Sequence, residues 1–463
     1  MKQTNNAIKF LMAQYRAIFK NANIAMAIAA ATAALAAGQA QAAGSAIGES
    51  NFANIAAKDD GYTLNGKDSE PYTKIEISSV QTNIANNNAF VLNLTGGDHK
   101  IESSANSAVV SVTAEKAGIK INGENATLNI GKNGSGATVK LGSIDVTQGT
   151  LQIGVQGASS GTTVTANTIS LGAAATGEQA KATPSAKLVI GLNGTVGGDK
   201  TTLFTANNGS AITVDGAANK AATIKATNIK LNGGTLTVAN GQGLKLDGKV
   251  TVAAVEGTDA QIVKNAGELT LTNSTTFGKG SIKQESTGSI QTGTDFDSDL
   301  SLTFNAADWN NVFAGKVKAT FKQSTNHTLG LNFEGEDKVD LNKVLDATSG
   351  GIKDTRITAT NGAFSVTAEN ATFDKGAKID TDKGSFVFNT LTAGTSNKFE
   401  ITKGTLNIKD KLEVAGEKTT LSISGAKATP ATLTLDRNGA KAAGNGLVAA
   451  ETITLNSDNC RAN

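Results

Sequence analysis

The chain has 463 residues, of which 51 are Gly, 3 are Pro and one is Cys, and only 4% are aromatic. That composition excludes a disulfide scaffold and an ordinary pair of globular domains, and it suits many short strands joined by turns. The formal charge of +2 belongs to a basic leader: without Lys2, Lys9, Arg16 and Lys20, 38 Lys and Arg face 40 Asp and Glu in no basic block, so neither nucleic acid nor an anionic membrane is an expected partner.

Residues 1–42 contain those four basic residues, no acidic one, an apolar run from Ile24 to Ala37 and the small-residue signal Ala40-Gln41-Ala42. This predicts a secretory signal peptide cut after Ala42. The run is shorter than the ~20 residues of a membrane-spanning helix and nothing later matches it, so the mature chain is expected to be exported without a transmembrane anchor. Residues 43–61 lack periodicity and predict a poorly ordered N-terminal segment.

Residues 62–294 predict a regular β-solenoid with rungs of roughly 25 residues. An apolar, polar, apolar triplet, two spacers and then Gly-Thr-Leu-x-Ile/Val recur at Ile144 to Ile153, at Ile229 to Val238 and again at Phe399 to Ile408, with a looser copy at Ile262 to Leu271. Apolar residues two apart share a strand face, so each copy reads as a half-buried strand, a Gly-assisted bend and a second strand; Leu151, Leu236 and Leu406 are predicted to point inward. Residues 295–350 are aromatic-rich, with Trp309 and several Phe, and predict wider rungs or an insertion. Short helices are expected there over Asn305 to Phe313, with Asn305 as N-cap, and over Lys338 to Ala347. Solenoid sequence resumes over 351–459, and 460–463 form a tail carrying Cys460.

Few residues carry a chemical motif. Gly157 to Gly161 (GASSG) has the form of a hydrolase nucleophile elbow, but no helix follows and only His99 and His327 could serve as base, so it reads as a Ser-Gly turn. Gly61 to Lys67 matches the first seven positions of a P-loop, yet Asp68 stands where a hydroxyl should hold Mg²⁺, and it too reads as a turn. Asp295, Asp297 and Asp299 share a strand face that could bind Ca²⁺ or serve a polysaccharide-acting enzyme. Leu300 and Ala306 stand where an EF-hand needs Gly and Glu, and the favoured reading is a solvated face. His99, after Gly96-Gly97-Asp98, and His327 are expected to be surface turn residues. Trp309 is expected to plug the core together with Val312 and Phe313. No catalytic, cofactor-binding or metal-binding residue is assigned, and no cofactor.

The Gly-Thr-Leu-x-Ile/Val units, the long amphipathic leader and the Asn/Thr/Gly-rich turns together resemble the passenger regions of bacterial autotransporters, with their autotransporter-associated β-strand repeats, over most of residues 62–455. The resemblance implies a right-handed β-solenoid on the bacterial surface, adhesive or matrix-forming, and transfers no functional residue. The chain departs from that family at its C-terminus, where no membrane β-barrel follows; a truncated gene product and a secreted relative are both open.

The expectation is thus an all-β, parallel β-helix-like solenoid with a small aromatic-rich insertion, extracellular or at the bacterial cell surface. It would be non-enzymatic, with an adhesin-like or surface-layer and matrix role, binding host or bacterial surface glycans or proteins through polar side chains repeated along its rungs. The alternatives are a β-helix enzyme acting on polysaccharide and a passenger remnant without independent function. Carboxylates and basic residues from adjacent rungs in one groove would favour the enzyme. Ladders of Asn, Thr and Ser would favour the display rod.

Overall fold

The structure is a computed structural model that describes residues 45–65, 72–78, 83–103, 109–131, 136–154, 161–173, 185–215, 220–253, 263–285, 287–292, 299–312, 319–321, 327–340, 357–359, 363–373, 377–393, 398–414, 420–423, 431–435, 452–455 and 461–462. Residues 1–42, expected to be a signal peptide, and Asp295, Asp297, residues 157–160, Lys67 and Cys460 lie outside them. Nearly every described strand belongs to one sheet whose pairings are all parallel, the arrangement of a β-solenoid. Parallel neighbours cannot be joined by a hairpin, so the chain travels around the rod between one strand and its partner.

A single passage, Val110–Ile130, shows the unit. Its segments starting at Val110, Gly118 and Ala126 join three separate stacks of strands, and the next passage, Ala137–Ile153, pairs with all three. The first stack runs from Ile84–Ala85 to Ser289–Thr292. The second contains nine strands from Tyr62–Leu64 to Thr275–Phe277, marking about nine turns. It then passes through Leu300–Asn305, Thr328–Glu334 and Ala363–Phe373 to Ala431–Leu435 and Arg461–Ala462. The third runs from Ser45–Ile47 to Ile282–Gln284.

Period-two alternation explains why this sequence stacks. In the first stack Ile84, Val112, Val139, Val164, Val196, Ile224, Leu246 and Leu271 lie one above another, all buried. In the second, Leu92, Ile119, Ile144, Ile169, Phe204, Ile229 and Val250 do the same. Successive partners are separated by 21 to 35 residues, most often 25, as Asn122 and Thr147 are. Burying one such Leu or Ile on every turn contributes about 1.5–3 kcal/mol per side chain, which a chain almost without aromatic residues obtains by repetition.

Leu151, Leu236 and Leu406 are fully buried, as their repeats predict, but they do not share one column. Leu151 and Leu236 belong to the third stack, in the column Leu128, Leu151, Leu188, Ile212, Leu236, Val263, Ile282. Leu406 belongs to the second stack, above Phe386 and below Leu433. The corner glycine of the first repeat is obligatory. Gly149 has φ +90, and a Cβ there would sit 2.5 Å from the carbonyl oxygens of both Ala126 and Gly123.

Among the described residues two short helices pack against the strands. In place of the unstructured segment expected over 43–61, Ser45–Ile47 forms a strand and α1, Glu49–Asn54, inserts Phe52 into the core. Phe52 meets Phe90 edge-on with centroids 5.7 Å apart. The Asn86 side-chain amide donates to the carbonyls of Phe52 (2.7 Å) and Ile55 (3.0 Å), satisfying helix-end acceptors that would otherwise be buried unpaired. The second helix, α2, spans Ala306–Val312, with Asn305 Oδ1 accepting from Ala307 N–H at 3.1 Å as an N-cap does. Of the helix expected over Lys338 to Ala347, Val339–Asp340 is instead a strand, drawn into the sheet by pairing with Ala371 and Thr372; residues 341–347 lie outside the described residues.

Trp309 is fully buried, as a core plug should be. Its described neighbours are Phe333, edge-on at 4.9 Å, and Phe304, at 5.2 Å; Phe304 in turn stacks on Phe277 at 5.2 Å and 11°. Offset and edge-on contacts of this kind build a buried aromatic cluster in place of the Val, Ile and Leu columns found earlier along the rod.

Candidate interaction surface

The residues between the apolar ones point outward, and register stacks them into columns. On the first stack, Ser111, Thr138, Thr163, Thr195 and Thr223 lie one above another, followed by Lys245, Thr270 and Gln291. Adjacent to them is a charged patch. Lys225 Nζ lies 2.8 Å from Asp199 Oδ1 and 3.7 Å from Asp247 Oδ2, Lys245 Nζ is 3.6 Å from Asp247, and Thr272 Oγ1 donates to Asp247 at 2.8 Å. The hydrogen bond from Lys225 holds the exposed Asp199 carboxyl below its ordinary range and the same contact raises Lys225. Lys200, in the same turn as Asp199, reaches Glu115 at 3.0 Å. Such exposed pairs fix a loop against the rod but contribute little energy.

The second stack changes character along its length. Its outward pairs in the N-terminal half are Val91 and Asn93, Gly118 and Lys120, Ser143 and Asp145, Thr168 and Ser170, Leu203 and Thr205, Asn228 and Lys230, and Lys249 and Thr251. Burial pushes the Asp145 carboxyl up from its ordinary value, against the pull of Lys120. From Ser274 to Thr432 the two outward columns carry no charge; Arg461 follows Thr432 in register. One column reads Ser274, Ser301, Gly330, Ser365, Ser385, Thr405 and Thr432; its neighbour reads Thr276, Thr303, Asn332, Thr367, Val387 and Asn407. The strip is tied along the rod: Ser301 N–H donates to Ser274 Oγ at 3.1 Å, and Asn332 Nδ2 to Ser301 Oγ at 2.6 Å.

The residues singled out by motif fall elsewhere. His99 is not a surface turn residue. It lies on the strand Gly97–Ile101 and points inward beneath Leu128, fully buried, because it shares the inner face with Ile101. Its Nδ1 accepts from Ile75 N–H at 3.1 Å, and Nε2 contacts Gly96 O at 3.0 Å, which fixes the neutral Nε2–H tautomer. Burial lowers its pKa, outweighing the Gly96 hydrogen bond and the Asp98 charge. His327 lies 3.7 Å from the exposed Asp299, the one described member of the aspartate trio. Of the segment Gly61 to Lys67 read as a turn, Gly61 has the positive φ of a turn residue, +69, but Tyr62–Leu64 is a strand of the second stack.

Asn265 and Gln284 occupy inward positions at the end of the third stack and pair with each other through Asn265 Nδ2 and Gln284 Oε1 at 3.0 Å. Asn265 also donates to Ser289 O at 2.9 Å. Buried amides at core positions give no alternation signal, so periodicity alone does not announce them. Among the described residues no group of three or more His, Cys, Asp or Glu is arranged to hold a metal ion, and no helix is long and apolar enough to cross a membrane.

No protein-family model matches the chain, and no similar curated protein or solved structure is found.

Proposed function

We propose that the chain is an exported bacterial β-solenoid of adhesin-like or surface-layer type, which binds by display rather than by catalysis. The observation that carries this reading is the set of outward columns of Thr, Ser and Asn repeated along the stacks. A solenoid presents such a surface at a fixed spacing of about 4.8 Å per rung, so many weak contacts add along the rod. The leader supports export, and the autotransporter-like repeats support the cell surface or medium as destination. Partners under this reading are glycans or proteins of host or bacterial surfaces.

Two experiments test it. N-terminal sequencing of exported protein is expected to begin at Ala43, and material still carrying Met1 contradicts export by this leader. Purified residues 43–463 are expected to bind surface material and to release no product from bacterial or host polysaccharides. Glycan cleavage lost on changing Asp295, Asp297 or Asp299 to Ala replaces the display rod with the β-helix enzyme.

A further inference from the structure

We infer that the uncharged strip of the second stack, from Ser274 to Thr432, is a binding surface for a neutral, hydroxyl-rich polymer lying along the rod, which is to say an uncharged polysaccharide. The inference rests on the display reading and assigns that display to one surface and one chemical class.

Charge is the first argument. Outward columns elsewhere on the rod carry Lys, Asp or Glu every few rungs, at Lys120, Asp145, Lys230 and Lys249 on the same stack, and at Lys225, Lys245 and Asp247 on the first. The strip carries none in either column. An anionic polymer would find lysines on those other surfaces and no cation in either column between Ser274 and Thr432, although Arg461 follows Thr432 in register and exposed Glu334 and Lys409 flank the strip; a neutral partner seated on the two columns themselves desolvates no charge.

The second argument is the donor and acceptor inventory. Apart from Gly330 and Val387, every member is a hydroxyl or an amide, each able both to donate and to accept, as sugar hydroxyls are. Gly330 is buried and adds no side chain to the strip. Ser301, Asn332, Ser365, Ser385 and Thr405 are half-buried and Thr367 is exposed, so they form a low surface rather than mobile tips, while Thr303 is buried and Asn407 Oδ1 is turned away from solvent.

Size decides between a folded partner and a polymer. Seven rungs at about 4.8 Å and two columns about 7 Å apart give a strip roughly 30 Å long and on the order of 300 Å² in area. A stable protein interface needs about 800 Å² per partner. A periodic chain needs no such area, because each unit repeats the contact of the last and affinity grows with the number of rungs engaged.

The test uses purified residues 43–463 with dextrans of graded length as neutral probes and polygalacturonate as the anionic one. Binding to long dextran is expected, weakening as the chain shortens below the strip and unchanged by added salt. The paired variant Thr367→Lys and Thr405→Lys, folded by circular dichroism, is expected to lose about tenfold in affinity. The control Val91→Lys and Val109→Lys, at two exposed apolar positions outside the strip, retains wild-type binding. Equal dextran binding by strip variant, control and wild type overturns the inference while leaving display by another face intact. Salt-sensitive binding to polygalacturonate alone, or no binding to any dextran, overturns it as well. Release of shortened dextran overturns the display reading itself.

Discussion

His99 provides the most quantitative consequence of the stacking. Its neutral ring accepts the Ile75 N–H through Nδ1, replacing a backbone acceptor between the strands Tyr72–Ile77 and Gly97–Ile101, whose ladder resumes only at Glu76 and Ile77. Protonation would turn that acceptor into a donor facing a donor, inside the core. Because the folded-state pKa is lowered, the unfolded or locally opened state binds the proton first. Stability from the neutral ring is fully present above about pH 6.5, the ordinary value, and is lost as the pH falls below it, until the folded-state pKa is reached. The slope in that window is bounded by about 1.4 kcal/mol per pH unit, a tenfold rise in the local opening constant. Native-state hydrogen exchange over residues 72–77 reads this opening, corrected for intrinsic exchange. His99→Leu extends the apolar column of Leu128 and Leu151 but leaves the Ile75 N–H without its acceptor. It should therefore cost about 1–3 kcal/mol at neutral pH and abolish the slope. The charged groups nearby, Asp98, Lys100, Lys74 and Glu76, are common to both proteins and cancel in the comparison. Parallel pH dependence in wild type and His99→Leu refutes the reasoning.

Three further substitutions probe other parts of the rod. Leu236→Asp places an unpaired carboxylate between Ile212 and Val263 and should cost on the order of 3 kcal/mol or more; a thermal melt by circular dichroism equal to wild type contradicts the inward assignment. Gly149→Val forces a β-branched residue into φ +90 and against two carbonyl oxygens, so it should lower the melting temperature more than Gly241→Val, where φ is +78 but no atom lies within 4 Å of the added Cβ. Asn86→Ala removes both contacts to the end of α1 at a cost of about 1–3 kcal/mol, and limited proteolysis should then cut first near Phe52.

The β-solenoid was legible because its cause is local. Alternation such as Ile144, Val146, Leu151 and Ile153 needs only a sheet with one buried face, and the rung of about 25 residues follows from how far the chain must travel around that core. What the repeats do not encode is which face a strand joins. Leu406 carries the same Gly-Thr-Leu context as Leu236 yet sits in the second stack, because the motif specifies a corner and a strand without specifying a side. His99 was obscured by its Gly-Gly-Asp approach, although its spacing to Ile101 marks the inner face. The helix α1 gave no periodic signal, since six residues that cap one end bury essentially one side chain, Phe52. The uncharged strip was hidden for a different reason. Ser274, Ser301, Gly330, Ser365 and Ser385 are unevenly spaced in sequence and become neighbours only through register.

The account centres on binding spread along a rod, and surface retention of purified residues 43–463 across single alanine variants of the outward columns tests it most directly. Each variant of Ser301, Asn332, Thr367 or Thr405 should reduce retention modestly, and combinations progressively, as contacts that add along a ladder require. One substitution that abolishes retention while the fold persists would place recognition in a single pocket and contradict the account.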